Sequence, residues 1–544
     1  MQGVTPCRPR ALGHRTASAT WRSRRPGRPV HKAARGNNPL RTARAVASPP
    51  DDQTRTTNNC GVAVGSLADV ETVIVGAGMA GLATAAELAR RDRGSVAVLE
   101  AGPDRGRTHV QSAYSPAEAL RLWLRPDTDP DFRRPYRTAG GVYRDLAGLR
   151  RRVGGRSLYW GGVLLPIERW ALSEEWPDAV ITELTETWDS GPSLYQRVVD
   201  DVVGWGAEPP GAPGLTIGRL AFDRTPHATR AEPDGGWSAF SPLAWWDGDG
   251  DGDSKVRRVP ILAGHEVLGV RVERGRAAGV VVLTEDGERR DLRANRVVLA
   301  AGTVVNSRLA IQALAASDAG TPRELPGLVD KISQGFTVAL TDVERLPDAV
   351  RAAAHEGHVY HRTGTASTRS NQFVRFTEGV NGTVNMDSWT MGEQRRGPHG
   401  GVRCDGGGAW PWPTTVHARL EAADEAVRTT QQHLLGELWA EMARLLGAPA
   451  DPLQFSPQHG SPDLADRLTK VRAPRPLTYS FPLGSEQHEA GTLALGEVLD
   501  ENHQFTAVPG LYACGPSVMP RTGAANPSMT TLALGKRLGA ILAG

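Results

Sequence analysis

Three stretches of the chain carry residue types at spacings that suit chemistry. The first is G-A-G-M-A-G, Gly76 to Gly81, which directly follows the β-branched run E-T-V-I-V and opens an Ala/Leu-rich stretch reaching Arg90. Gly76 permits a tight turn, Gly78 lets the backbone approach a pyrophosphate, and Gly81 lets a helix pack closely on the strand before it. The helix N-terminus adds amide donors and positive potential. A second short strand, V-A-V-L, then ends in Glu100, whose carboxylate is placed to accept from adenosine ribose hydroxyls and to repel a 2′-phosphate. Strand, glycine turn, helix and terminal acid together imply a dinucleotide other than NADP. They do not separate FAD from NAD.

The second stretch is G-G-R-S-L-Y-W-G-G, Gly154 to Gly162, where dense glycine around two aromatics marks a loop whose backbone must come close to something. The third is the C-terminal part. There H-E-A-G-T (His488 to Thr492) precedes a strand G-L-Y-A-C (Gly510 to Cys514), a loop ending A-N-P-S-M-T, and a final Ala/Leu helix. Between these lies R-V-V-L-A-A-G-T (Arg296 to Thr303), a buried strand ending in small residues, as expected where a sheet runs under a cofactor.

These motifs together resemble the glucose–methanol–choline (GMC) oxidoreductases, FAD-dependent enzymes that oxidise alcohols, over most of residues 71 to 544. The resemblance implies an α/β fold of pyranose-oxidase-like architecture. A Rossmann-like FAD-binding domain would be joined to a second, α+β substrate-binding domain carrying an antiparallel sheet. Residue by residue it makes His488 the catalytic base and Asn526 the group that hydrogen-bonds the substrate oxygen. It brings to the cofactor Gly76, Gly78, Met79, Ala80, Gly81, Glu100 and Ala101 near the fingerprint, and Gly155, Arg156, Ser157, Tyr159, Trp160 and Gly161 in the glycine–aromatic loop. Val267, Ala301 and Gly302 follow in the middle, then Gly515, Pro516, Asn526, Pro527, Ser528 and Met529 near the end. The chemistry agrees: a neutral imidazole is a natural acceptor for the hydroxyl proton while a flavin takes the hydride. An amide can hold the hydroxyl without competing for its proton.

Two departures from the family pattern stand out. Gly515 occupies a position after the C-terminal strand that is often acidic, and Leu158 and Tyr159 stand where some relatives attach FAD through a histidine. Non-covalent FAD is therefore expected, with Trp160 shaping the wall beside it. The competing readings are a redox-neutral lyase on the same fold, a dinucleotide-binding protein without turnover, and an NAD-dependent dehydrogenase.

The elements needed to position these residues divide the chain as follows. Residues 71–173, 256–320 and 476–544 are assigned to the FAD-binding domain, and 174–255 and 321–475 to the substrate-binding cap. Within the second group, polar strands are expected around Asn371 to Trp389, with Asn385, Asp387 and Trp389 in the roof over the flavin, and a helix over Thr415 to Leu446. Short strands are expected from Arg257 to Arg308. The polar roof points to a sugar, a polyol or a hydroxylated secondary metabolite as the alcohol, with oxygen or another carrier as electron acceptor.

Composition excludes several other classes. The chain has 544 residues, 40% of them hydrophobic, and no run of eighteen apolar residues, so no membrane-spanning helix is expected. Ten Arg and one Lys in the first fifty residues leave 52 basic against 60 acidic side chains in the rest, which is the wrong balance for a body that tracks nucleic acid. Cys7, Cys60, Cys404 and Cys514 lie far apart, without disulfide or zinc spacing. Asp247, Asp249, Asp251 and Asp253 imitate a calcium loop, but Arg258 stands where the bidentate Glu belongs. His355, His358 and His361, three residues apart, do not share one face, and no metal is expected. Residues 1–70 form a basic leader expected to be disordered, with the Arg- and Ser-rich composition of an organelle transit peptide. A start codon further along is the alternative, and a cytoplasmic location is expected unless the leader directs import.

Overall fold

In the computed structural model the described residues are 69–544 without 111–117, 119–121, 141–142, 144–146, 234–235, 249–253, 318–322, 380–381 and 456–474. The leader to residue 68, Cys7, Cys60 and three aspartates of the calcium-like loop, Asp249, Asp251 and Asp253, lie outside them. In chain order the elements that matter begin with β1 (Asp69–Val75), α1 (Met79–Arg90), β2 (Val96–Leu99), β3 (Leu215–Ile217) and β4 (Leu220–Arg224). Next come β5 (Ile261–Leu262), β6 (Glu266–Glu273), β7 (Arg276–Leu283), β8 (Arg289–Leu299) and α2 (Thr303–Ala316). They are followed by β9 (Lys331–Leu340), β10 (Val359–Arg362), β11 (Ser370–Glu378), β12 (Val384–Glu393) and α3 (Ala422–Leu446). The chain closes with β13 (Leu477–Ser480), β14 (Leu511–Ala513) and α4 (Ser528–Ala543).

The apolar, β-branched run of β1 is buried on both faces and takes the centre of a sheet in the order β5–β2–β1–β8–β7–β6. Its neighbours β2 and β8 run parallel to it. The long β8 shares its other edge between antiparallel β7 and, further along, parallel β14, so the C-terminal strand returns to the sheet that the N-terminal strand began. Helix α4 then lies against α1 through small residues. A Cβ on Gly535 would come within 2.7 Å of the Ala83 Cβ, and one on Gly539 equally close to the Glu87 Cβ. Residues 65–544 form one compact unit.

A second sheet, entirely antiparallel, has the order β13–β9–β12–β11–β10–β4–β3. Its period-two alternation decides which side chains face where. Val384 and Met386 on β12 and Val374 and Phe376 on β11 face α3, where they pack with Leu435, Leu438, Trp439 and Met442. The intervening Phe373, Trp389 and Met391 face the other way, into a cluster with Leu165 and Ala525.

Two expected boundaries shift. The helix expected from Thr415 begins later: Thr414–His417 forms a strand, and a capping box between Glu421 and Asp424 starts α3 only at Ala422. Thr303–Arg308, at the end of the stretch expected to form short strands, instead opens α2. The fingerprint helix shows how tight the first sheet is, since a Cβ on Gly81 would lie 2.0 Å from the Gly76 carbonyl oxygen. Gly81→Ala is expected to lower unfolding free energy by about 1–3 kcal/mol through overpacking. Denaturant unfolding checks this, and an unchanged midpoint would mean that α1 can slide along β1.

Candidate active site

The turn after β1 holds Gly76 at φ +107°, and a Cβ there would lie 2.6 Å from the Ala300 carbonyl oxygen. Side-chain-bearing residues are thus excluded on both counts. Gly78 is the opposite case: no atom lies within 4 Å of where its Cβ would be, and its open side faces a cavity of about 510 Å³. The glycine–aromatic loop is laid beside this turn by a hydrogen bond from Gly154 N to Ala77 O at 2.9 Å. Glu100 closes β2 with both carboxylate oxygens engaged, Oε2 accepting from Ala77 N at 3.1 Å and Oε1 from Gly102 N at 2.8 Å. Burial nevertheless pushes its carboxyl up to about 7.

That one cavity extends from Glu100 in the first sheet to Trp389, Phe373 and Met391 in the second. Gly76, Gly78, Met79, Ala80, Glu100, Ala101, Gly155, Arg156, Ser157, Tyr159, Trp160 and Gly161 line it, as do Val267, Ala301, Gly302, His488, Gly515, Pro516, Asn526, Pro527 and Ser528. Gly81 and Met529, expected at the cofactor, do not. Gly81 is turned onto β1, and Met529, one helical position past Ser528, is rotated into the hydrophobic core around the first sheet. Thr531, three residues past Ser528 and so on the same helix face, lines the cavity in its place. Asn385 and Asp387 are also corrected as roof residues: they are absent from the lining, and Asp387 pairs instead with Arg375 at 3.2 Å.

His488 is held through its backbone on both sides. Asp330, just before β9, accepts from His488 N at 2.9 Å and from Gly484 N at 2.6 Å. Arg156 donates from Nη1 to Gln487 O at 2.7 Å, and grips Glu489 through Nη1–Oε2 at 2.5 Å and Nη2–Oε1 at 2.8 Å. Gln487 takes a left-handed φ of +57°, a strained turn at the point where the imidazole is presented. Neither ring nitrogen of His488 bonds another described residue, and Nδ1 is buried without a partner. Burial, reinforced by the Lys331 and Arg156 cations, pushes the imidazole down to about 3, so it is neutral at ordinary pH.

Asn526 sits in a loop pinned by the second sheet and by Glu168. Glu168 Oε2 accepts from Ala524 N and Oε1 from Asn371 Nδ2, both at 2.9 Å. Lys331 Nζ donates to Gly523 O at 2.5 Å, and Arg521 pairs with Glu393 at 2.6 and 2.9 Å. The Asn526 Oδ1 is left buried with no hydrogen-bond partner.

Residues 71–152 match the family described as FAD dependent oxidoreductase, and residues 400–535 match the family described as GMC oxidoreductase. These matches support the resemblance to the GMC oxidoreductases that the motifs carry. A C-glycoside 3-oxidase of Microbacterium trichothecenolyticum is 25% identical over 549 residues, covering 86% of this chain and 96% of that protein. The fold is shared with pyridoxine 4-oxidase from Mesorbium loti at 17% identity and TM-score 0.54, covering 86% of this chain and 98% of the other. It is shared too with formate oxidase of Aspergillus oryzae RIB40, here in an R554K variant, at 13% identity and TM-score 0.56, with 87% and 98% covered.

The chain is an FAD-dependent oxidoreductase, and its residues fit that cofactor. The open face of Gly78 at the first turn of α1 suits a pyrophosphate, and the Glu100 carboxylate suits ribose hydroxyls. No helix of the described residues is long and apolar enough to cross a membrane. Nor does any group of three or more His, Cys, Asp or Glu among them form a metal cluster. His355 and His358 instead meet Glu378 and Arg224 near the surface, and His361 meets Thr225 in the interior.

Sequence reasoning missed Asp330, Glu168, Lys331, Glu486 and Glu489. The available signal was charge inside apolar strands and turns, as in L-V-D-K-I, because a buried charge needs a dedicated partner. Glu486 lines the cavity two residues before His488, and burial pushes its carboxyl up to about 7. The folded chain therefore holds this proton more tightly than the unfolded chain, and its contribution to stability is lost as pH rises through about 7. Buried His488 and His503, pushed down to about 3, act in the opposite sense below the ordinary histidine range, so the comparison must be differential. The stability of Glu486→Gln relative to wild type should improve from about pH 5 to about pH 8. A relative stability that stays flat or declines over that interval would refute the buried-acid reading.

Proposed function

We propose that the enzyme oxidises a CH–OH group of a sugar or similar polyhydroxylated small molecule to a carbonyl, with His488 as proton acceptor and Asn526 holding the hydroxyl. One observation carries this reading: His488 Nδ1 and Asn526 Oδ1, on two separate loops of one cavity, are both buried polar atoms without partners. Leaving such atoms unsatisfied costs about 1–3 kcal/mol each. A polyhydroxylated substrate would satisfy both: the reacting hydroxyl donates its one proton to His488 while accepting from Asn526 Nδ2, and a neighbouring hydroxyl donates to Asn526 Oδ1. When bound, FAD supplies the hydride acceptor.

The neutral imidazole accepts the hydroxyl proton, and burial, with Lys331 and Arg156 adding to it, keeps the imidazole unprotonated down to acid pH. The aromatic faces of Trp389 and Phe373, stacked with centroids 5.3 Å apart, line the substrate side and suit the C–H faces of a sugar ring. The name of the C-glycoside 3-oxidase relative supports a sugar-bearing substrate. Leu158 and Tyr159 offer no imidazole to the flavin, and burial raises the Cys514 thiol to about 12, so FAD is held without a covalent bond.

The test is the visible spectrum of purified protein mixed with a panel of glycosides, free sugars and polyols, under argon and then under air. Bleaching of the flavin under argon supports alcohol oxidation, and its return in air identifies oxygen as a sufficient acceptor. A flavin that no member of the panel bleaches would overturn the proposal. Acid precipitation should leave all yellow colour in the supernatant, whereas colour in the pellet would show a covalent link.

A further inference from the structure

Arg308 lies on α2, is 5% exposed, and lines the cavity, yet its guanidinium makes no hydrogen bond or ion pair with any other described residue. The other arginines there are engaged: Arg133 with the Pro130 and Phe132 carbonyls, Arg150 with Asp129 at 3.3 Å, Arg151 with Glu266 at 2.8 Å, and Arg156 with Glu489. A buried guanidinium without an acceptor is expensive to maintain, and such a group marks a place completed by a ligand.

Its location says which part of a ligand. Gln312, four residues on and so on the same face of α2, donates to Leu268 O at 2.8 Å on β6. Arg308 therefore faces the start of β6, where Glu266 and Val267 line the cavity. That strand start is tied to Glu100 by a hydrogen bond from His265 N to Glu100 O at 2.8 Å. Arg308 is thus on the Glu100 side, while the pyrophosphate-suited Gly78 belongs to the turn after β1. The group that lies beyond the adenosine ribose from the pyrophosphate is the base.

We propose that Arg308 holds the adenine of FAD, its N–H groups donating in the plane of the base to the ring nitrogens. This rests on FAD as cofactor and not on the roles of His488 and Asn526, so failure of the alcohol-oxidation test leaves it standing.

The experiment titrates apoprotein with FAD, ADP, FMN and inorganic pyrophosphate, comparing wild type, Arg308→Met and Arg308→Lys. Arg308→Met is expected to weaken FAD and ADP alike by about 10–100-fold, the loss of a charge-assisted hydrogen bond in a closed site. FMN, which lacks the adenylate, and pyrophosphate should bind as in wild type, and the spectrum of fully loaded enzyme should not move. Arg308→Lys, which keeps the charge but not the planar fork, should fall between, and it carries the test if the Met variant does not fold. Unchanged FAD and ADP affinity in the variants would overturn the proposal. So would an equal loss for FMN, which would make Arg308 structural, or an equal loss for pyrophosphate, which would make it a phosphate contact.

Discussion

Replacing His488 with alanine is expected to slow substrate-driven flavin bleaching by about 10²–10⁴-fold, the usual contribution of a positioned general base. The backbone of the loop should survive, since Asp330 and Arg156 hold residues 484, 487 and 488 through main-chain atoms. FAD content and thermal stability should therefore match wild type, and the defect should appear in the bleaching rate measured by anaerobic stopped flow. Because the imidazole is pushed down to about 3, the wild-type rate should show no inflection in the ordinary histidine range. An alanine variant that bleaches at the wild-type rate would move the base elsewhere, with Glu486 the first residue to examine.

Glu489→Gln should have the largest effect on stability. Glu489 is 4% exposed and neutralises the Arg156 guanidinium bidentately, while its carbonyl accepts from Thr303 Oγ1 at 2.5 Å. The pair therefore joins the glycine–aromatic loop, the His488 segment and the start of α2. Removing one charge leaves the other uncompensated, which in buried pairs costs about 3–5 kcal/mol. Two features pull the figure toward the lower end. The Arg156 side chain is 30% exposed through the cavity, and removing Glu489 relieves its repulsion of buried Asp330. Urea unfolding measures the loss. A second substitution, Arg156→Met, should recover part of it, because an apolar side chain needs no counter-charge. Wild-type stability in the single variant would show that the clamp is incidental.

What could be read from residues alone followed contiguity. The fingerprint Gly76–Gly81 works through one turn and the two elements it joins, so strand, glycine and helix are written side by side and lead to a dinucleotide. The segments around His488 and Asn526 are likewise short loops whose motifs are local, which is why both reach the cavity as expected. Failures came where helical phase, or reach along a strand, decides what a side chain meets. Met529 is one helical step from Ser528 and turns into the core, and Trp389 was separated from Asn385 and Asp387 only once strand pairing showed how far the cavity extends along β12.

The sequence by itself therefore determined the dinucleotide class of the cofactor, the strand–turn–helix that opens the first sheet, and two residues, His488 and Asn526, that reach the same cavity. Only the tertiary structure decided what holds them. Arg156 and Glu489 lie 333 positions apart, Asp330 and His488 158 apart, and Glu168 and Ala524 356 apart. No local period or propensity encodes such pairings. They arise because burying two sheets and their helices forces a few charged groups out of water, and each charge is stable only beside the partner that the folded topology brings to it.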